Sequence, residues 1–192
     1  MGKIRRIGNG LMNSHNRRIV RLLRGEIENP QMGAEVGVWE GGLSESLLSG
    51  FPTLQLLMVD RYEVFDNGGT GRLSKVNTQE GMLEALNKAM ERTLFAKERR
   101  IQLVANSLLV ASIIQKESLD FAHIDADHHY EKTLADLEAY FPKVKPGGLL
   151  SGDDYHSRRG WGVKKAVDEF ADDNGYDVNV VKSKPLIWWF KK

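Results

Sequence analysis

Cysteine is absent from the 192 residues. Its absence excludes disulfides, thiolate catalysis and cysteine-ligated zinc, and it suits a reducing, cytoplasmic setting. No apolar run is long enough to span a bilayer, and the basic start lacks the apolar h-region of an export signal. Charge of one sign is also missing: 27 Lys and Arg against 26 Asp and Glu leave a net charge of +1. Bulk electrostatics therefore makes no case for a nucleic acid or an anionic membrane as partner. Repeats, low-complexity tracts and interdomain linkers are absent too. What remains is a chain of one-domain length with 41 % apolar and 28 % charged residues, the composition of an ordinary globular protein.

Along the chain, strand and helix patterns alternate. The basic segment carrying Lys3, Arg5, Arg6, Arg17, Arg18, Arg21 and Arg24 reads as a solvated helix face. Within it, His15 to Leu23 has Ile19, Leu22 and Leu23 at helical spacing. Residues 1–32 form a short N-terminal helical segment on this reading, and residues 33–192 the main domain. Strands are expected at Ala34–Val38, Leu54–Val59, Ile101–Ala105, Leu119–Ile124 and Leu149–Gly152. Helices are expected at Leu43–Leu48, Thr78–Ala96, Leu108–Lys116, Tyr130–Phe141 and Val163–Asp173. Arg61 to Asn77, with Gly68, Gly69 and Gly71, is a loop long enough to suspect a function. Lys145 to Gly148 is a turn. Tyr176–Val181 and Leu186–Phe190 are two closing strands that fit an antiparallel pair on one edge. Alternation of this kind predicts an α/β fold with parallel βαβ units, and ligands then gather at the carboxyl ends of the strands, at the topological switch point.

The residues just past each strand carry the chemistry. The first strand runs into a glycine-rich turn with Glu35, Gly37, Gly41 and Ser44, where backbone can approach a ligand closely. Asp60 follows roughly twenty residues later, the position from which a carboxylate binds ribose hydroxyls. The pair signals a nucleoside-bearing cofactor, but Trp39 stands where the dinucleotide fingerprint needs glycine. Asn106 and Ser107 end the third strand; they can face an adenine edge, and Ser107 is equally a helix N-cap. The fourth and fifth strands end in Asp125, Asp127, His128 and His129, and in Asp153, Asp154 and His156. Neighbouring strand ends lie about 5 Å apart, so four carboxylates would crowd one rim. Without a cation such a group raises its own pKa values; Mg²⁺ or Ca²⁺ with oxygen ligands removes the conflict. The histidines admit Zn²⁺ or Mn²⁺ instead. His123, inside its strand, reads as a packed core residue. His128 or His129 can serve as a general base. Trp161, Trp188 and Trp189 read as core, with an interface as the alternative.

These motifs resemble class I S-adenosylmethionine (SAM)-dependent methyltransferases. The resemblance rests on the Glu35 to Ser44 turn, on Asp60, on the block from Leu119 to Tyr130 (LDFAHIDADHHY) and on that from Lys145 to Tyr155 (KPGGLLSGDDY). It extends to Gly162–Phe170 (GVKKAVDEF) and to the Trp188–Lys192 ending, and covers the chain from about Gly33 onward. The subgroup looks like methyltransferase family 24 and the macrocin-type sugar O-methyltransferases. The likeness implies a Rossmann-like, mostly parallel seven-stranded sheet with a reversed final strand and helices on both faces. It implies SAM contacts from Glu35, Gly37, Gly41, Ser44, Asp60, Asn106, Ser107 and Asp125. It implies Mg²⁺ on Asp125, Asp153 and Asp154, with Asp127 as a candidate base beside His128 and His129. The activity implied is methylation of a hydroxyl on a small-molecule acceptor, a sugar or a diol. Residues 61–77 match nothing in the family, and the segment before the first strand is shorter than the N-terminal lid of the sugar-methylating members; both would face the acceptor.

Two other classes stay open. A nicotinamide oxidoreductase shares the fold class, with Trp39 against it. A non-catalytic SAM- or RNA-binding module would use the basic N-terminal helix. A base-amino methylator is disfavoured because its Pro-Pro motif after the fourth strand is replaced here by Asp125-Ala126-Asp127-His128, with no proline. No motif encodes an oligomeric state, and a homo-oligomer is compatible with the chain.

Overall fold

The computed structural model describes residues 13–64, 77–156, 161–182 and 184–192. Helix α1 (Ser14–Glu26) is capped by Asn13, whose side chain accepts the His15 N–H. It buries His15, Ile19, Val20 and Leu23 and leaves Arg17, Arg18, Arg21 and Arg24 exposed on the opposite side. Lys3, Arg5 and Arg6 of that basic segment lie outside the described residues. There follow β1 (Met32–Val36), α2 (Gly42–Gly50), β2 (Gln55–Asp60), α3 (Gln79–Arg92), β3 (Arg100–Val104), α4 (Ser107–Ile113) and β4 (Leu119–Ile124). The chain closes with α5 (Tyr130–Tyr140), β5 (Val144–Gly152), α6 (Val163–Asn174), β6 (Asn179–Val181) and β7 (Ile187–Lys191). Of the long loop after β2, residues 65–76 lie outside the described residues, its three glycines among them.

Several elements end elsewhere than the sequence pattern predicts, and two of these differences have a visible cause. Helix α3 stops at Arg92, because the Thr93 hydroxyl bonds back to the Ala89 carbonyl at 2.7 Å and a tighter turn, Leu94–Ala96, follows. Leu94, within the helix span expected from the sequence, is exposed. The Lys145–Gly148 turn is absorbed into β5 as a bulge: pairing jumps from Leu119 opposite Val144 to Phe121 opposite Leu149. The bulged backbone still finds partners. The Gly147 N–H donates to the Lys192 carbonyl at 2.6 Å, and the Lys192 N–H to the Gly148 carbonyl at 2.9 Å.

The seven strands lie in the order β3-β2-β1-β4-β5-β7-β6. Pairs β1–β2, β1–β4, β2–β3 and β4–β5 are parallel; β7 runs antiparallel between β5 and β6. Strand alternation feeds two cores. Ala34, Val36, Leu57, Val59, Ala122, Ile124 and Leu150 pack with α4, α5 and α6 on one face. Leu56, Met58, Phe121 and Leu149 pack with α1, α2 and Ala89 of α3 on the other. Because both faces are covered, β2 reads as a nearly continuous apolar run rather than an alternating one. The order reverses between β1 and β4, and their carboxyl ends define the crevice in which the motif residues meet.

Candidate active site

The turn after β1 is held by backbone geometry and one carboxylate. Gly37 has φ +94°, and a Cβ there would sit 1.9 Å from the Asp125 carbonyl oxygen, so only glycine lets the β1 and β4 tips close on each other. Gly41, at φ +75°, presses on Ala89 of α3, where a Cβ would approach Cα to 2.7 Å. Asp60 accepts the N–H groups of Val38 and Trp39 through Oδ2, at 3.0 and 2.8 Å, and that of Tyr62 through Oδ1 at 2.9 Å. The Tyr62 hydroxyl donates to the Trp39 carbonyl at 2.9 Å. Asp60 thus ties the β2 tip to the glycine turn, and its four acceptor positions leave one for a further donor.

Beneath the turn, Glu35 and Ser44 are buried and joined by a 2.5 Å hydrogen bond from the Ser44 hydroxyl. Burial lifts the Glu35 carboxyl to about 8; the Ser44 bond pulls it down, and Asp125, Asp60 and Asp153 add repulsion. Glu35 pairs in register with His123 on β4, which pairs with Ser151 on β5. The His123 ring is fully buried and meets the Ser151 hydroxyl through Nδ1 at 3.0 Å.

At the β4 and β5 tips the acidic residues separate into three groups. Asp125, His128 and Asp154 offer one ligand atom each, all within 4.8 Å of one another. His128 Nε2 lies 2.9 Å from Asp154 Oδ2 and 3.7 Å from Asp125 Oδ1. That nitrogen is buried without a well-aligned hydrogen bond, so these contacts are those of charges in proximity. Burial lowers the His128 pKa, but the two carboxylates outweigh it and hold the ring up at about 9. Asp154 adopts φ +60°, which turns its carboxylate into this cluster.

Asp153 stands apart from them. It lies just past the end of β5 and reaches His15 of α1. Its Oδ2 lies 2.6 Å from His15 Nε2 and 3.9 Å from His123 Nε2. Burial raises the Asp153 pKa, and the two imidazoles bring it below the ordinary carboxylate value. Asp127 also leaves the rim. It takes Lys132 Nζ at 2.7 Å, the His129 N–H at 2.9 Å and the His129 ring at 2.6 Å. Burial pushes this carboxyl up, yet those donors carry it down to about 2. His129 is exposed at the start of α5. Of the residues considered at the third strand end, Asn106 and not Ser107 is the N-cap of α4, taking the Leu108 N–H at 2.9 Å. Ser107 donates to Asp136 of α5 at 2.6 Å.

Two residues of this region were not singled out by the sequence. His15 lies in the helix before the domain; its register with Ile19 and Leu23 marks a buried position, but nothing local shows that Asp153 waits there. Trp161, counted as core, is half-buried and stacks on His128 with ring centroids 4.0 Å apart. Trp188 is a core residue, as expected, and donates from its indole N–H to the Asp153 carbonyl at 3.1 Å.

The strand order, the reversed β7 and the glycine turn at the β1–β4 switch define a class I methyltransferase fold. The methyltransferase domain family Methyltransf_24 matches residues 34–155; the chain belongs to this family and is a SAM-dependent methyltransferase. No curated protein matches the sequence. Among solved structures, a candidate caffeoyl-CoA O-methyltransferase from Staphylococcus aureus is 18 % identical, with 93 % of this chain and 83 % of that one covered and a TM-score of 0.67. The O-methyltransferase from Bacillus cereus in complex with SAH is 15 % identical, with 94 % and 81 % covered and a TM-score of 0.66. A candidate rRNA methylase from Clostridium thermocellum is 12 % identical, with 92 % and 94 % covered and a TM-score of 0.67. Likeness at these identities is likeness of fold. Among the described residues, no helix is long and apolar enough to cross a membrane.

Proposed function

We propose that the chain methylates a hydroxyl oxygen of a small-molecule acceptor, a sugar or a diol, with a divalent cation at Asp125, His128 and Asp154. The observation that carries this reading is the convergence of those three side chains within 4.8 Å beside the glycine turn. Two carboxylates and a buried imidazole nitrogen without a hydrogen bond are a donor set suited to a divalent ion. The imidazole brings Mn²⁺ and Zn²⁺ into contention beside Mg²⁺. A cation bound there lowers the pKa of a coordinated hydroxyl and makes it a competent nucleophile.

The remaining assignments follow from what each side chain is free to do. The backbone of residues 37–42 and the open acceptor position of Asp60 would take the methionine and ribose parts of SAM, with Asn106 and Ser107 near adenine. Glu35 and Ser44 support the turn from below. Asp125 borders both the cofactor and the cation. Asp127 and His129, bonded to each other and to Lys132, frame the turn into α5; a carboxyl near 2 is a weak proton acceptor. Of the three candidate bases, His128 alone faces the cluster, and there its Nε2 would be a cation ligand rather than a proton acceptor. Residues 33–192 would be the methyltransferase domain, with 1–32 contributing α1. A cytoplasmic location is part of the same reading.

Calorimetry with SAM and S-adenosylhomocysteine, followed by an acceptor panel with Mg²⁺, Mn²⁺ or a chelator, tests the proposal. Asp125→Ala is expected to abolish turnover and Mn²⁺ uptake while leaving SAM binding nearly intact. Equal loss of both would count against the metal role, and no response to either adenosyl compound at millimolar concentration would overturn the whole reading.

A further inference from the structure

We infer that Trp161 is a positioning residue for His128: its indole, pressed on the imidazole, aims that ring at Asp125 and Asp154. The inference rests on the proposed cation site. An imidazole ligand is ordinarily oriented by a hydrogen bond from its second nitrogen. Here the orienting contact is a flat stack. The two rings are 4.0 Å apart with planes inclined by 17°. The same indole meets His156, at 4.8 Å and 37°. Both imidazoles approach one carboxylate, His128 at 2.9 Å from Asp154 Oδ2 and His156 at 3.5 Å from Asp154 Oδ1. Trp161 therefore touches both rings that flank Asp154.

The indole is itself anchored. The Gly162 N–H donates to the His128 carbonyl at 2.7 Å, so the backbone beside the indole is bonded to the residue that the indole stacks on. A Cβ on Gly162 would lie 2.3 Å from the Tyr130 nitrogen, which shows how closely residues 161–162 are pressed on the turn before α5. The Gly162 carbonyl then accepts the Ala166 N–H and starts α6. A rigid helix start thus carries the ring, and the ring sets the imidazole. Leucine at position 161 would keep an apolar side chain and lose the flat face; phenylalanine would keep a flat face.

The test is Mn²⁺ uptake, read from the electron paramagnetic resonance of free Mn²⁺, in W161L and W161F. W161L is expected to weaken Mn²⁺ binding by about tenfold or more, the range found when an orienting partner of a metal ligand is removed. W161F should stay close to wild type, and S-adenosylhomocysteine binding should be unchanged in both. A second readout needs no metal. The His128 Hε1 proton resonance, assigned by its loss in H128Q, should lie upfield from the indole ring current and move downfield in W161L. W161L binding Mn²⁺ as tightly as wild type overturns the inference. If wild type takes up no Mn²⁺, the cation reading falls, and the resonance decides: movement in W161L upholds the positioning role, and no movement ends it. W161M replaces W161L if the leucine variant does not fold.

Discussion

Glu35 shows how much one buried side chain decides. It sits under the glycine turn with the Ser44 hydroxyl as its hydrogen-bond partner, and burial lifts it to about 8 from an ordinary 4.5. Between those values the folded chain holds a proton that the unfolded chain has released. Stability from this group is therefore greatest below about pH 4.5, falls as pH rises toward 8 and levels off above, by roughly 1.4 kcal/mol per pH unit at most. Glu35→Gln cannot titrate, so its urea-unfolding free energy should fall less steeply than wild type from pH 5 to 8; parallel curves would show that the carboxyl is ionised in the fold. The acidic residues of the rim teach a related lesson. Asp125, Asp127, Asp153 and Asp154 look equivalent along the sequence. In the fold, Asp127 belongs to Lys132 and His129, Asp153 to His15, and only Asp125 and Asp154 share a centre. Asp153 and Asp154 are neighbours just past the end of β5, and the partners that complete each assignment come from other elements.

At the scale of elements, the site is made by tips that touch. The Gly37 turn meets the Asp125 backbone, and a methyl there has no room, at a φ that L side chains rarely adopt. Gly37→Ala should lose more than ~2 kcal/mol of stability, from urea unfolding, by strain and by forcing β1 from β4. Helix α1 is docked by apolar residues and by the buried contact between His15 and Asp153. His15→Ala leaves that carboxylate buried beside a lost partner, at a cost of about 3 kcal/mol, with faster amide exchange across α1 as the local signature. If α1 exchanges at the wild-type rate, the docking lies in Ile19, Val20 and Leu23 alone. The order and type of these elements were legible in the sequence, because apolar periodicity and glycine or proline stops are local. The end of α3 and the β5 bulge were not, since a hydroxyl back-bond and a ladder with Lys192 set them.

For the whole molecule, a ligand seated at the switch point joins β1, β2 and β4, so binding and global stability are linked. S-adenosylhomocysteine at one hundred times its dissociation constant should add about 2.7 kcal/mol and raise Tm by roughly 5–10 °C in a thermal scan. An unmoved Tm at saturating ligand would mean that the folded chain does not bind it. The fold class and the donor chemistry were written in the order of motifs: a glycine turn, an acidic residue after the next strand, then two acidic strand ends. Local physics suffices for these, since turns, strands and the residues following them depend on near neighbours in the chain. The sequence could not say which carboxylates face one another, that His15 reaches Asp153 from 138 residues away, or that Trp161 lies on His128. Those are matters of packing between elements distant in sequence, and only the folded sheet with both its helical layers in place brings them together.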